Sequence, residues 1–400
     1  MARYQVAVED GVGGSGTAGG LLNRQNEKMK IYIQEHKTIA SFLIFSLIAS
    51  LYLPSRVDGL LTILAFPVLY AYKDKFIIDS NLQKLAVLFF IFLLFFTLTS
   101  QNILFSSVSF GRVVRGMVFF LIAQLFFLVS DDDINYMPHS VLLFLAINSN
   151  FFFRKQHIIA NEFFYGYHNH PNVQAFALCF FLILSLLLWS MAKDHKIRII
   201  NSINIFSALL LLFIANSRSV WFGVTAAGLA VIALNPAFNI KRKVLLFSGI
   251  ACAGLSWLIL FSKKSSGLAG RDVLWKILID ETYSNHPLLG YGLNSNKYIL
   301  RKFTDIGGMA HNSMVELYSS TGIVGTIIFL SGSTFILFRI INTFWMKADL
   351  RISIYLFGLL TFIFISFFDM KLFDYTFMAT IFLFLGFFVV APSAESVGSQ

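Results

Sequence analysis

Charged side chains are scarce in this sequence. Only 13% of its 400 residues are Asp, Glu, Lys or Arg, whereas 57% are hydrophobic and 46 are phenylalanine. A soluble domain carries about 25% charged residues, so an ordinary water-soluble fold is excluded. The stretches Leu85–Leu98 and Phe176–Trp189 show none of the polar and apolar alternation of barrel strands. Because backbone polar groups in lipid must be satisfied internally, we predict an all-α, polytopic transmembrane helical bundle.

Cysteine is nearly absent as well. Cys179 and Cys252 both lie inside apolar segments, so we expect them to pack in the core without a disulfide or a metal. His168 and His170 have no Cys or carboxylate close enough to complete a ligand set, and no nucleotide-binding glycine loop occurs. We therefore predict no metal site and no cofactor. The formal charge of +10 fits cytoplasmic loops and anionic headgroups, and we expect no nucleic-acid partner.

Long hydrophobic runs are what the sequence has in abundance. Runs of about 17–25 apolar residues are long enough to cross a bilayer as helices. The pattern predicts about twelve such spans, of which the fifth is short. They are Thr38–Leu53, Gly59–Tyr72, Leu85–Thr99, Val113–Ser130, Val141–Phe153, Val173–Met191, Ile203–Asn216, Val220–Leu234, Val244–Phe261, Thr321–Asn342, Ile352–Phe368 and Thr376–Val390.

The distribution of Lys and Arg predicts the orientation of these spans. Basic loops such as 193–198 and 241–243 are expected in the cytoplasm, together with both termini. This divides the chain into a flexible cytoplasmic tail (1–30), spans 1–9 (31–261), a large periplasmic loop (262–320), spans 10–12 (321–391) and a C-terminal tail (392–400). The Gly/Ser run 11–20 suggests that the first residues are dispensable, and we hypothesise that translation naturally starts at Met29.

The large loop is expected to be structured, since long loops without structure are uncommon unless they are functional. An amphipathic helix is predicted over Asp272–Ile279, where apolar residues recur at helical spacing. The turn-rich segment Asn285–Leu293 follows, and a second helix is expected to begin near His311. We predict that the loop forms a partly buried cap on the outer face of the bundle.

Two arginines are candidates for binding an anionic ligand at the predicted outer face of the bundle. Arg218 lies in the outer turn between two predicted spans, beside Ser217 and Ser219. A guanidinium matches phosphate oxygens with planar, paired donors, although Arg218 is also well placed as an interfacial anchor. Arg271 opens the amphipathic helix, where the helix dipole disfavours a cation. A phosphate at that helix start would explain Arg271; the alternative is a solvated surface charge.

His311 is the candidate general base, because histidine exchanges a proton near neutral pH. It begins a helix that re-enters the membrane from the predicted outer surface. A lone histidine is more often structural than catalytic. A catalytic role for His311 is therefore favoured only by its position at the start of this helix. Asn312 adjoins His311, and Glu316 follows about one helical turn later. Both are candidates for binding substrate, and Glu316 either orients the site or is solvated.

Further candidates lie earlier in the chain. Arg112 and Arg115, at the predicted outer mouth of the fourth span, would extend a positive funnel or anchor the helix. His170, Pro171 and Asn172 precede the sixth span, where a proline and a polar cap are adequate structural explanations. His170 and Asn172 are nevertheless candidates for binding substrate.

Several of these motifs, in this order, resemble bacterial O-antigen ligases and the related O-antigen polymerases. The resemblance extends from about Gly166 to Leu330. It is carried by His170-Pro-Asn172, Ser217-Arg-Ser-Val-Trp221, Gly270-Arg-Asp-Val-Leu-Trp275, His286-Pro-Leu-Leu-Gly-Tyr-Gly292, Ala310-His-Asn-Ser313 with Glu316, and Gly322-Ile-Val-Gly325.

The resemblance implies a metal-independent glycosyltransferase of the bacterial inner membrane, with its active site facing the periplasm. The donor would be a glycan linked to undecaprenyl diphosphate. Arg218 and Arg271 would hold the diphosphate and stabilise the leaving charge. His311 would take the proton from the attacking hydroxyl or orient that hydroxyl, with inversion at the anomeric centre. The acceptor would be lipid A–core in a ligase, or a second lipid-linked repeat unit in a polymerase. The sequence favours the ligase slightly.

Two other classes of protein are compatible with a hydrophobic bundle. A transporter or flippase would carry ionisable groups near the bilayer midplane, whereas most predicted spans have apolar middles. A scaffold subunit of a polysaccharide export complex would tolerate the loss of Arg218, Arg271 or His311.

Overall fold

The computed structural model describes residues 65–73, 80–133, 171–215, 217–236, 238–249, 271–303, 311–346, 350–368 and 377–386, with the isolated residues 46, 76, 139, 141–143, 145 and 146. These residues are helical or lie in turns, and none of those described forms a strand, in agreement with the predicted all-α class. Both predicted tails, most of the first and fifth predicted spans, and His170 lie outside the described residues.

The helices of the first half fall close to the predicted spans. All five begin earlier than predicted, and the difference is largest for α2, at Ile103 instead of Val113, and α4, at His195 instead of Ile203. Polar residues such as Ser106 and Asn201 lower the hydropathy of these first turns without interrupting a helix. The bounds are α1 Ser80–Leu98, α2 Ile103–Asp133, α3 Pro171–Met191, α4 His195–Ala215 and α5 Arg218–Leu234.

The second half contains short helices of the predicted loop and further apolar helices. The bounds are α6 Arg271–Asn285, α7 Asn296–Phe303, α8 Ser313–Met346, α9 Leu350–Ser366 and α10 Phe377–Gly386. Residues 240–249 are also helical. α8 runs across the predicted boundary between loop and tenth span, and its internal break at Gly322 coincides with that boundary.

The apolar helices identify a multi-pass membrane protein. The segments long and apolar enough to cross a membrane are Ser106–Phe126, Gln174–Met191, His195–Ala215 and Ser313–Trp345. Shorter apolar helices are Lys84–Leu98, Arg218–Leu234, Leu350–Ser366 and Phe377–Gly386. The total of twelve spans and their orientation stay predictions.

Close helix packing builds the core of the bundle. A Cβ added to Gly223 of α5 would lie 2.5 Å from Ile365 of α9, and one added to Gly358 of α9 would lie 2.5 Å from Phe384 of α10. The rings of Phe176 in α3 and Phe362 in α9 are 4.7 Å apart, edge to face. These contacts fix α9 between α3, α5 and α10.

The described part of the predicted loop folds around a small core of its own. Leu278 of α6, Ile299 and Leu300 of α7, and Val315 of α8 are buried together with Tyr291. We call residues 271–303 and 311–321 the cap. The predicted amphipathic helix is confirmed, except that Val273 faces outward with 57% of its surface exposed. α7 was not predicted.

Candidate functional site

Arg218 is the first residue of α5 and is exposed. The preceding Ser217 occupies the N-cap position in extended conformation, but its hydroxyl does not cap the helix. The Ser217 Oγ lies 3.1 Å from the Ser219 Oγ instead. The guanidinium thus stands at the positive end of a helix whose cap residue does not supply the usual oxygen acceptor.

Arg271 is half-buried at the first position of α6. Its Nη1 donates a hydrogen bond of 2.6 Å to the backbone carbonyl of Phe368, just beyond the end of α9. The terminal carbonyls of a helix carry partial negative charge, so this contact supplies a structural reason for a cation that the dipole of α6 disfavours. The alternative of a purely solvated Arg271 is therefore wrong.

One aromatic contact lies between the helix that begins at Arg218 and the residue whose carbonyl Arg271 binds. The Phe368 ring, on the residue whose carbonyl Arg271 binds, packs edge to face on Phe222 at 4.9 Å between centroids. Phe222 lies one turn after Arg218 on α5. Phe222 of α5 and Arg271, the first residue of α6, therefore both contact the segment just after α9, one through the Phe368 ring and the other through the Phe368 carbonyl.

His311 has an unusual backbone conformation. Its φ is +50°, in the left-handed region, which few residues other than glycine adopt. It is half-buried and precedes Asn312, whose Oδ1 accepts hydrogen bonds from the backbone N–H groups of Met314 at 2.9 Å and Val315 at 3.1 Å. Asn312 is thus the N-cap of α8, a structural role for a residue predicted to bind substrate.

Glu316 lies in the first turn of α8, and only 1% of its surface is exposed. The alternative of a solvated carboxylate is therefore wrong. Its backbone N–H donates to the Asn312 carbonyl at 3.0 Å, continuing the helix that follows His311. A buried carboxylate one turn beyond the imidazole is placed where the helix dipole favours negative charge.

Loop 286–293 holds the helix that follows His311. α8 is broken at Gly322, whose φ is +61° and ψ −165°. At the break, Tyr291 N and Gly292 N donate to the carbonyls of Ser319 and Ser320 at 2.9 and 2.8 Å. In return, Ile323 N and Val324 N donate to the carbonyls of Pro287 and Leu288 at 2.9 and 3.2 Å. The loop thereby satisfies groups that a helix end leaves unpaired.

The turn between α1 and α2 fastens this loop to the bundle. The Ser100 Oγ donates to the Tyr291 carbonyl at 3.1 Å, and the Ser106 Oγ lies 3.0 Å from the Leu293 carbonyl and 2.6 Å from the Ser100 Oγ. A Cβ on Gly292 would collide with Ser100. Sequence reasoning missed both serines, because an isolated serine in a turn, as Ser100, or in a first helical turn, as Ser106, carries no pattern.

Tyr291 also ties the loop to α6. Its hydroxyl donates to the Glu281 Oε1 at 2.9 Å, and its ring packs against His286 at 4.4 Å between centroids. Burial, followed by the hydrogen bond with Glu281, raises the pKa of Tyr291 to about 12. The phenol therefore stays protonated and keeps donating at neutral pH.

The remaining predicted residues lie elsewhere in the fold. Arg112 and Arg115 do not lie at the start of a helix: at 1.5 Å per residue they are about 14 and 18 Å from the first residue of α2. Arg112 is exposed and Arg115 half-buried. Pro171 is the first residue of α3, as its structural explanation required, whereas Asn172 is half-buried at the second position and is therefore not the cap.

Comparison with known proteins bears on this region of the chain. Residues 203–330 match a family model described as O-antigen ligase. The match includes Arg218, Arg271 and His311, and the resemblance found in the motifs is thereby confirmed. Arg112, Arg115, His170 and Asn172 fall outside it. No curated protein matches the chain. The family supports a membrane enzyme of the ligase or polymerase type that handles glycans.

Proposed function

We propose that this chain is an O-antigen ligase-like glycosyltransferase. It moves a glycan from undecaprenyl diphosphate to a sugar hydroxyl of lipid A–core, at the periplasmic face of the inner membrane and without a metal. The observation that carries the proposal is that Phe368 contacts the helices headed by Arg218 and Arg271, of which the second belongs to the cap that also contains His311. The family match over 203–330 covers Arg218, Arg271 and His311.

The two arginines bind the donor diphosphate and stabilise its departure. When the bond between the anomeric carbon and the diphosphate oxygen breaks, the electron pair leaves with the diphosphate. Guanidinium donors already aimed at that oxygen stabilise the added charge without reorganisation. Arg218 is exposed and free to approach a lipid-linked ligand, whereas Arg271 is fixed by the Phe368 carbonyl. We assign Arg218 to capture and Arg271 to orientation of the diphosphate.

His311 serves the acceptor. Its imidazole takes the proton of the attacking hydroxyl as the new glycosidic bond forms on the face opposite the diphosphate, which inverts the anomeric centre. His311 directly precedes Asn312, the N-cap of α8, and has a left-handed backbone, so the imidazole is carried just before the N-terminus of α8. Glu316, buried one turn later, is placed to stabilise the positive charge that the imidazole gains.

Substitution of the three residues tests the proposal in a transfer assay with purified chain, lipid-linked glycan and lipid A–core. Arg218→Ala, Arg271→Ala and His311→Ala are each expected to fold and to lower transfer at least 100-fold, the order lost with one oxyanion-stabilising donor. Arg218→Lys recovers only part of the rate, because the paired geometry is lost.

Matched controls come from the other end of the predicted topology. Arg242→Ala removes an exposed arginine from the first turn of helix 240–249, and His195→Ala removes an exposed histidine from the first position of α4. Both are expected to transfer at the wild-type rate. If the three site variants retain transfer as these controls do, the scaffold alternative replaces the proposal.

A gene deletion separates the ligase from the polymerase alternative. Loss of a ligase leaves long chains on the carrier lipid and none on lipid A–core. Loss of a polymerase leaves the core carrying a single repeat unit, and that result would reassign the acceptor without changing the roles of the arginines. A transporter would instead be revealed by glycan movement across liposomes without any bond formed.

A further inference from the structure

α7 presents an exposed surface that the proposed chemistry does not use. Its apolar residues Ile299 and Leu300 are buried in the cap. The residues that face outward are cationic or aromatic: Lys297, Tyr298, Arg301, Lys302 and Phe303. The eight-residue helix carries no acidic side chain, so its outer face is a positive patch edged by two aromatic rings.

Helix electrostatics accounts for only part of this charge. Arg301 and Lys302 lie in the last turn of α7, where the dipole favours cations. Lys297 lies in the first turn, where the dipole opposes it. The neighbouring α6 shows the ordinary arrangement: Lys276 lies one turn from Asp272 and one turn from Asp280, and all three are exposed. The cations of α7 have no such partners on their own helix.

One of these cations is held in place by aromatic rings. The Lys302 Nζ lies 4.7 Å from the centroid of Tyr298 and 6.0 Å from that of Tyr291. Tyr291 is itself fixed by its hydrogen bond to Glu281. The ammonium is therefore positioned at the surface before any ligand arrives, which lowers the entropy lost on binding.

The patch belongs to the acceptor side of the proposed site. Ile299 and Leu300 pack with Val315, about one helical turn after His311 on α8. Leu278, in the middle of α6, joins the same small core. Arg271 lies at the start of α6, away from Leu278, and donates its hydrogen bond to the carbonyl of Phe368 after α9. α7 thus packs on the first turn of α8, which follows the proposed base, and on the middle of α6, away from the contact that fixes the donor arginine.

We infer that α7 binds the carbohydrate of the acceptor, and that this carbohydrate carries phosphate groups. Lys297, Arg301 and Lys302 pair with the anionic groups, while Tyr298 and Phe303 offer rings for contact with the sugar faces. The inference rests on the proposed function, in which His311 receives the acceptor hydroxyl. The inference adds that the negative charge of the acceptor determines how tightly the protein binds it.

Direct binding tests the inference with the full chain in lipid nanodiscs. The probes are a phosphorylated lipopolysaccharide core oligosaccharide and the same oligosaccharide after phosphatase treatment. The triple variant Lys297→Gln, Arg301→Gln, Lys302→Gln is expected to bind the phosphorylated probe about tenfold more weakly, the order expected for three exposed ion pairs. Its affinity for the treated probe stays at the wild-type value, and raised salt abolishes the difference between the two probes.

Lys276→Gln is the matched control, since it removes an exposed cation from the adjacent helix of the cap. It is expected to bind both probes as the wild type does. Equal affinity of the triple variant and the wild type for the phosphorylated probe would overturn the inference. An equal loss for both probes would also overturn it, because charge would then not be what α7 recognises.

The same experiment distinguishes this inference from the proposed function. Arg218→Ala is expected to keep the charge-dependent binding of the probe while losing transfer. If the wild type shows that binding yet transfers no glycan from any lipid-linked donor, the proposed function fails and the recognition of an anionic carbohydrate by α7 stands.

Discussion

Gly290, Gly292 and Gly322 have φ values of 65°, 97° and 61°, and all three lie where loop 286–293 meets the break in α8. A Cβ on Gly290 would lie 2.6 Å from the Gly322 nitrogen, and one on Gly322 would collide with the Leu288 carbonyl. Glycine is needed both for the backbone conformation and for the close approach. At the scale of single residues, these positions decide whether the cap holds α8.

Gly322→Ala is expected to destabilise the protein by about 2 kcal/mol or more, since a non-glycine residue in strained backbone costs about 1–3 kcal/mol before any collision is counted. Thermal unfolding in detergent measures the loss. Gly332→Ala, in the same helix with nothing within 4 Å of the added Cβ, is the control and should be neutral or slightly stabilising. Equal behaviour of the two variants would mean that the break in α8 does not constrain the fold.

The left-handed backbone of His311 allows its structural and chemical roles to be separated. Asparagine adopts this conformation readily, so His311→Asn is expected to change the free energy of unfolding by less than about 0.5 kcal/mol. Transfer is nevertheless expected to be lost, because a carboxamide cannot accept the proton of the acceptor hydroxyl. Unfolding and transfer are measured on the same preparation. A His311→Asn variant that still transfers would show that the imidazole is not the base.

At the scale of elements, short polar contacts hold the cap on the bundle. Ser100 and Ser106 bind the carbonyls of Tyr291 and Leu293, and the loop in turn binds both sides of the break in α8. The motifs His286–Gly292 and Gly322–Gly325, which are far apart in the sequence, therefore form a single structural unit. Their role is to hold the helix that follows His311.

Ser106→Ala is expected to loosen this attachment. Removing the hydroxyl leaves the buried Leu293 carbonyl without that donor, which costs about 1–3 kcal/mol, and amide exchange in 286–293 should accelerate. Ser107→Ala is the matched control, because the exposed Ser107 hydroxyl donates only to Leu104 of its own helix at 2.9 Å. If both variants exchange as slowly as the wild type, the turn does not hold the cap.

Elements with a strong hydrophobic period were predictable, and those built on single contacts were not. Apolar runs located α1, α3, α5 and α9 to within a few residues, because hydropathy alone defines them. α7 was not predicted because its two buried apolar residues, Ile299 and Leu300, are too few to set a hydrophobic period. Arg112 and Arg115 were placed at a helix mouth because the predicted span began only at Val113, whereas α2 begins at Ile103. Arg271 was singled out by dipole reasoning, but its partner, a carbonyl 97 residues away, has no sequence signal.

At the scale of the whole molecule, the account requires one orientation. The turn 192–194 between α3 and α4 carries Lys193 and adjoins Lys196, as expected of a cytoplasmic loop, whereas the cap has to face the periplasm. The site residues and α7 then share one side of the membrane, where a lipid-linked glycan and its acceptor meet.

Cysteine labelling tests this orientation. In a background with Cys179→Ala and Cys252→Ala, Ser284→Cys in α6 is expected to react with a membrane-impermeant maleimide in cells whose outer membrane has been permeabilised. Lys196→Cys in α4 should react only after lysis; both positions are exposed. Labelling of both sites from the same side would invert or disprove the predicted topology.

The central claim is that two arginines hold the donor diphosphate while His311 moves a proton, and native mass spectrometry of the donor complex tests it most directly. The wild type and His311→Ala are expected to retain undecaprenyl-diphosphate-linked glycan, with transfer lost only in His311→Ala. Arg218→Ala and Arg271→Ala are expected to lose the bound donor. Donor retention by both arginine variants at the wild-type level would contradict the account.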